Sequence, residues 1–521
     1  MLHVLNKTII SLILTIFLIG KINTFKCNVK NLNVTPGIVE TIRNNEDQRL
    51  LEEETYNDIV ISYVNETLEN SANNGGPIDI IKQLLDEVIP LFKTFLKIKT
   101  KSQINEPKLN DLINTRCNVN ITQENISEVI NENDITIFPY FKDFNQSEDE
   151  DITWMRGKFC LITRDLRPLG GFLEINEKIK DVDFNSGNSK EYFKHILFHE
   201  ITHILLFDKG LLDALGLVKD NQITTETVKQ VARHHYNCME FLLKDDFGIP
   251  LDEDGYHWDS KYMLGDYMIS FDYFDKTISD MTFALFDDSG IYQIKKLYGK
   301  YFNFGYNKSC SFFQSKCSAN FEEFCSTINV PKCSQSRMSK GICSNISNTG
   351  CISSNYENQS GNYYFSTSCK YGNSIGEDPL ETFGNNSFCF ISSLNNSNNN
   401  ETKCYEVECD SKNRNIKVIF KDDINNVTKT INCPKDGGVI SNPIGLFGTL
   451  TCPKYTEICS ENNDFICRDM LDCINETFAR DYIIHGEDFS ELIRFNMLFI
   501  FINLFIFIFL ILISNIHNIL F

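Results

Sequence analysis

Basic residues are in short supply: 49 Lys and Arg stand against 70 Asp and Glu in 521 residues, for a formal net charge of −21 and a pI near 4.9. A chain this acidic has no basic footprint for phosphates, which excludes nucleic-acid binding. Cysteine is sparse over the first 300 residues, where only Cys27, Cys117, Cys160 and Cys238 occur. A fixed-period repeat is also missing; Cys433-Pro434 returns as Cys452-Pro453, and that spacing does not continue. Hydrophobic content is not what the chain lacks. At 42% it is ample for a packed core and excludes wholesale disorder. With about 150 residues per domain, the length fits two to four domains.

Fifteen further cysteines fall between Cys310 and Cys473, set among Asn, Ser and Gly. Such density belongs to an oxidising compartment, because cytosolic thiols are kept reduced. Residues 1–24 have the layout of a secretory signal peptide, with Lys7 ahead of an apolar run from Ile9 to Ile19 and a small Gly20. Residues 25–54 are polar and acidic and read as a short propeptide or linker. At the far end, after a spacer over 481–496, residues 497–513 are apolar except for Asn503. Seventeen residues is the lower limit for crossing a hydrocarbon core of roughly 30 Å. The segment reads equally as a transmembrane helix or as the discarded tail of a GPI signal. No Lys or Arg follows it, and Gly486 and Ser490 stand upstream as attachment residues. Asn-x-Ser/Thr sites including Asn65, Asn120, Asn307 and Asn426 add N-glycans to the expectation of a membrane-attached protein on the secretory route or cell surface.

Between these ends, residues 55–300 read as mixed helix and strand, and residues 301–480 as a cysteine-rich region with little regular structure, held by disulfides rather than by a core. Tyr56 to Val64 alternates like one strand, and Asp134 to Phe141 and Gly171 to Ile175 are further strands. Pro77 to Lys99 has helical spacing, with a kink expected at Pro90. Lys190 to Phe207 is the strongest helix, apolar on its buried face and free of Gly and Pro.

That helix carries His199-Glu200-Ile201-Thr202-His203. Histidines at i and i+4 share a helical face and can point at one ion, while Glu200 beside them reaches a water on that ion. A catalytic zinc needs three protein ligands and an open position. The short-spaced continuation would place Gly at 206 and His at 209, but Leu206 and Lys209 stand there. The third ligand must come from farther away, and Glu226, His234, His235, Glu240 and His257 are the alternatives.

His257 lies in Gly255-Tyr256-His257-Trp258-Asp259, with Met268 eleven residues on. Here the chain resembles the leishmanolysin family, surface metzincins of protists in which a long insertion separates the second and third zinc histidines. The segments His235-Tyr236-Asn237-Cys238, Pro168-Leu169-Gly170-Gly171, Ala284 to Tyr292, the cysteines Cys310 and Cys317, and Gly448 to Pro453 extend the resemblance over roughly residues 55–475. It implies an α+β protein: a metzincin-type catalytic domain over 55–300, with a mixed sheet and an active-site helix, then the disulfide-rich C-terminal region. It also implies one zinc per chain on His199, His203 and His257, Glu200 as catalytic base, Met268 as the floor beneath the metal, and protein or peptide substrates. Leu206 replaces the family's helix-ending glycine, so the turn is expected to move toward Gly210.

The cysteine count is odd, and Cys27 is the outlier, 90 residues before Cys117. A thiolate is a good fourth zinc ligand, so Cys27 is the candidate latency switch of a proenzyme, although Phe25-Lys26 precedes it where relatives have a His-basic pair. The rival reading is a catalytically inactive, disulfide-rich surface adhesion protein on a metalloprotease scaffold.

Overall fold

The structure is a computed structural model that describes residues 35–39 and 55–459, apart from internal breaks at 73–76, 105, 123–125, 146–151, 185–186, 271–275, 296–301, 316, 347–348, 356–366, 373–379, 395–399 and 423–426. The signal peptide, Cys27, Cys467, Cys473 and the apolar segment 497–513 lie outside the described residues. Among the described residues no helix is long and apolar enough to cross a membrane.

A mixed five-stranded sheet organises the first part of the chain. Its strands are β1 (Gly37–Val39), β2 (Ile61–Tyr63), β3 (Ile135–Lys142), β4 (Met155–Thr163) and β5 (Pro168–Asn176), in the order β1-β4-β5-β3-β2. Only the β4–β5 pairing is antiparallel. Strands β3, β4 and β5 are buried on both faces over nearly their whole length, so β3 and β5 read as mostly apolar runs rather than alternating ones, while β4 carries Arg156 and Lys158 in its first half. Those two cations disguise β4 as a polar stretch in the sequence, although Lys158 is buried. The single strand expected over Tyr56 to Val64 is two: Tyr56–Asp58 pairs with Leu96–Lys99, while β2 pairs with β3. The Asp134 carboxylate breaks the run by accepting the Val60 N–H at 2.9 Å.

Helix α1 (Ile78–Phe95) continues through Pro90 as one helix. Helix α2 (Gly187–Leu205) lies between α1 and the sheet. Two glycines let it approach. A Cβ on Gly157 of β4 would fall 2.1 Å from the Glu200 carbonyl oxygen, and one on Gly171 of β5 would fall 2.4 Å from Ile204 Cγ2. On its other side Phe198 stacks on Phe92 of α1, with centroids 4.4 Å apart. The core so formed runs from Val39 to Cys351.

The C-terminal region corrects the expectation of little regular structure. Its described residues include a six-stranded antiparallel sheet of β6 (Ser387–Ser392), β7 (Glu401–Asp410), β8 (Asn415–Asp422), β9 (Val427–Cys433), β10 (Gly438–Ser441) and β11 (Thr449–Cys452), ordered β9-β8-β7-β6-β11-β10. They enclose a second core that includes Phe388, Phe390, Tyr405, Val418, Phe420, Ile431 and Leu450. A strand with one wet face needs apolar residues only at alternate positions, so its composition looks polar while its inner face is not.

Eight disulfides join described residues. Cys117–Cys160 ties the 109–116 helix to β4, and Cys238–Cys310 ties the start of the cysteine-rich region to the first core. The other six lie between Cys317 and Cys459: Cys317–Cys351, Cys325–Cys343, Cys333–Cys389, Cys369–Cys404, Cys409–Cys459 and Cys433–Cys452.

Candidate active site

Helix α2 buries its His199–His203 face completely, and the loop through His257 closes over it. The Nε2 atom of His203 lies 3.0 Å from Nε2 of His199 and 3.1 Å from Nε2 of His257. Each ring is held from behind. His199 Nδ1 faces the Tyr267 carbonyl at 2.6 Å, His203 Nδ1 the Phe207 carbonyl at 2.5 Å, and His257 Nδ1 the Asp252 carboxylate at 3.1 Å. All three partners are acceptors, so each Nδ1 carries the proton and each Nε2 presents a lone pair. Burial pushes the His199 and His203 pKa values well down, the neighbouring imidazoles add to it, and the carbonyls of Tyr267 and Phe207 oppose it only in part. The three rings thus aim three Nε2 lone pairs at one point, where they repel one another. A cation at that point turns the repulsion into binding. Zinc takes neutral imidazole nitrogens, so the donor set fits it.

Among the described residues, His199, His203 and His257 are the one group of histidine, cysteine and carboxylate side chains close enough to hold a metal. The other four alternatives for a third ligand lie elsewhere. Helix α4 (Glu226–Tyr236) carries three of them. Glu226 is exposed and accepts from Gln230, His234 is exposed beside Arg233, and His235 donates through Nε2 to the Phe304 carbonyl at 2.9 Å. Glu240 pairs with Lys244 at 2.9 Å.

Glu200 is fully buried, and the Gly157 N–H donates to its Oε2 at 2.6 Å. Met268 is also fully buried; its carbonyl accepts the Trp258 N–H at 3.0 Å, next to His257. The helix exit differs from the expected shift. Helix α2 ends at Leu205, the N–H groups of Leu206 and Phe207 both reach the Thr202 carbonyl, and no left-handed residue is used. Asp208 then caps α3 (Lys209–Ala214), so Gly210 sits inside that helix rather than at the turn. This tight exit delivers the Phe207 carbonyl to His203.

Family comparison agrees with this geometry. The leishmanolysin family model matches residues 78–465. The chain belongs to the leishmanolysin family of metallopeptidases. It is also 26% identical over 167 residues to the leishmanolysin of Leishmania amazonensis. That stretch covers 28% of this chain and 27% of the relative's length.

Three contributors to the leishmanolysin-type site are not picked out from the sequence. Asp252 opens Asp252-Glu253-Asp254-Gly255, a turn signal whose first carboxylate binds the following N–H groups. Gly157 could be suspected only as a glycine inside an apolar strand, a mark of close backbone approach. Asp266, two residues before Met268, gives no local signal beyond an acid in an apolar stretch.

Proposed function

We propose that this chain is a zinc-dependent endopeptidase that cleaves proteins at the cell surface or on the secretory route. The observation that carries the reading is the convergence of the His199, His203 and His257 Nε2 atoms, with each Nδ1 held by an acceptor. Family membership supports it independently. In this reading the three histidines hold one zinc, and Met268 forms the floor beneath it. When bound, zinc supplies Lewis acidity toward the scissile carbonyl and toward water. Glu200 takes the proton of the attacking water and returns it to the leaving amine, acting as general base and then general acid. The Gly157 N–H fixes the orientation of that carboxylate. The catalytic domain occupies residues 55–300, the segment at 497–513 attaches the protein to a membrane, the Asn-x-Ser/Thr sites carry glycans, and Cys27 caps the metal until the propeptide is cut and its fragment leaves.

The test is Glu200→Gln in the full chain, with zinc content and peptide cleavage measured on the same preparation. One zinc per chain with cleavage lost supports the reading. Full cleavage by the zinc-loaded variant overturns the role of Glu200. A parent chain with neither zinc nor cleavage supports the adhesion protein instead.

A further inference from the structure

We propose that Asp266 is a positioning residue for the metal site, holding the backbone behind His199 and His257 in one register. The inference rests on the zinc reading above and extends it to a residue outside the ligand set.

The Asp266 carboxylate is fully buried and engaged on both oxygens. Oδ1 accepts the Met268 N–H at 2.7 Å. Oδ2 accepts the Ser279 N–H at 3.1 Å and the Thr282 hydroxyl at 2.9 Å. Thr282 Oγ1 in turn accepts the Trp258 indole N–H at 2.8 Å. The direction of this relay is forced, since an indole N–H only donates and a carboxylate only accepts.

Two arms therefore leave one carboxylate. The first fixes the turn at 266–268, whose Tyr267 carbonyl receives His199 Nδ1 at 2.6 Å. The second runs through Thr282, in the helix Asp280–Asp288 (α5), to Trp258, the neighbour of His257. A backbone bond from Trp258 N–H to the Met268 carbonyl at 3.0 Å closes the loop between the arms. His203 is outside it, because its Nδ1 partner is Phe207.

Placing a carboxylate here is expensive. Burial lifts the Asp266 pKa to about 6, against the pull of its Ser279, Met268 and Thr282 hydrogen bonds. A core residue with no task beyond filling space would be apolar at this position. Partners behind metal-binding histidines orient the rings, and losing such a partner typically weakens metal binding about 10–100-fold.

The experiment uses the full chain and two readouts besides activity: the zinc dissociation constant, by competition with a chelator, and the electronic spectrum of the cobalt-loaded protein. Asp266→Asn keeps the size of the side chain but must turn an N–H₂ toward one of its donors. It is expected to weaken zinc binding by about tenfold or more and to shift the cobalt bands. Thr282→Val, which cuts only the Trp258 arm, should show a smaller change of the same kind, and Thr282→Ser should restore parent values. Parent zinc affinity and cobalt spectrum in Asp266→Asn overturn the proposal, even if the melting temperature falls. If Asp266→Asn does not fold, the Thr282 pair decides, and a Val variant equal to the parent overturns it. A parent chain that binds no zinc fails the metal reading itself, a different result from a parent that binds zinc and an Asn variant that binds it equally well.

Discussion

One carboxylate grips His257 through both its ring and its backbone. Asp252 Oδ2 faces His257 Nδ1 at 3.1 Å, while Oδ1 accepts the Gly255, Tyr256 and His257 N–H groups at 2.8, 3.2 and 3.4 Å. Burial works against ionising Asp252, yet the hydrogen bond from the His257 ring and those from the His257 and Tyr256 backbone N–H groups hold its carboxyl below the usual range. Asp252→Ala should therefore raise the zinc dissociation constant by about 10–100-fold. Chelator competition on the purified variant measures this, and an unchanged constant would show that the turn alone orients the ring.

Gly157 sets the distance between the sheet and the Glu200 carboxylate. An added methyl there meets the Glu200 carbonyl oxygen at 2.1 Å, a backbone atom that cannot swing aside. Gly157→Ala should push α2 off β4 and weaken the N–H contact to Glu200. A displacement near 1 Å costs about 100-fold in turnover. Steady-state kinetics at saturating zinc check the effect, and parent turnover would mean that the helix and strand separate without moving Glu200.

His235 predicts a pH effect on stability away from the site. Burial lowers its pKa to about 4 from the ordinary 6.5, opposed in part by the Phe304 carbonyl. The unfolded chain therefore takes up a proton below pH 6.5 that the folded chain refuses until near pH 4. Stability from this group is present above pH 6.5 and lost as pH falls toward 4, by about 2 kcal/mol between pH 7 and 5. Denaturant titrations at the two pH values should show that increment in the parent and not in His235→Gln, whatever zinc release adds to both.

The features legible in the sequence are those whose chemistry is local. The paired histidines and Glu200 stand within one helical turn and a half, and the helix expected over 190–207 differs from Gly187–Leu205 by two or three residues at each end. His257 is 54 residues from His203, and spacing alone leaves it level with four other residues; resemblance singles it out, and the folded geometry brings its Nε2 to the pair. Strand β4 is hidden because Arg156 and Lys158 make its first half look polar, although the strand is buried over nearly its whole length. The C-terminal sheet is hidden by composition, since Asn and Ser crowd its loops and Glu406, Glu408 and Asp410 alternate with the inward Tyr405, Val407 and Cys409. Asp252 and Asp266 act through backbone N–H groups, and no residue type announces which carboxylate will find them.

The pairing of Gly37–Val39 with Leu161–Thr163 has a consequence for how the polypeptide is trimmed. Val39 is fully buried in the first core, while its neighbour Ile38 points outward at 59% exposure. Cutting the chain between residues 40 and 54 therefore does not shed a loose leader; it creates a two-chain protein whose smaller chain remains as a strand of the sheet. Its departure requires local unfolding, so the lifetime of the nicked form is set by that opening rather than by the protease that made the cut. Intact mass measured under native and under denaturing conditions should then differ by the mass of the fragment.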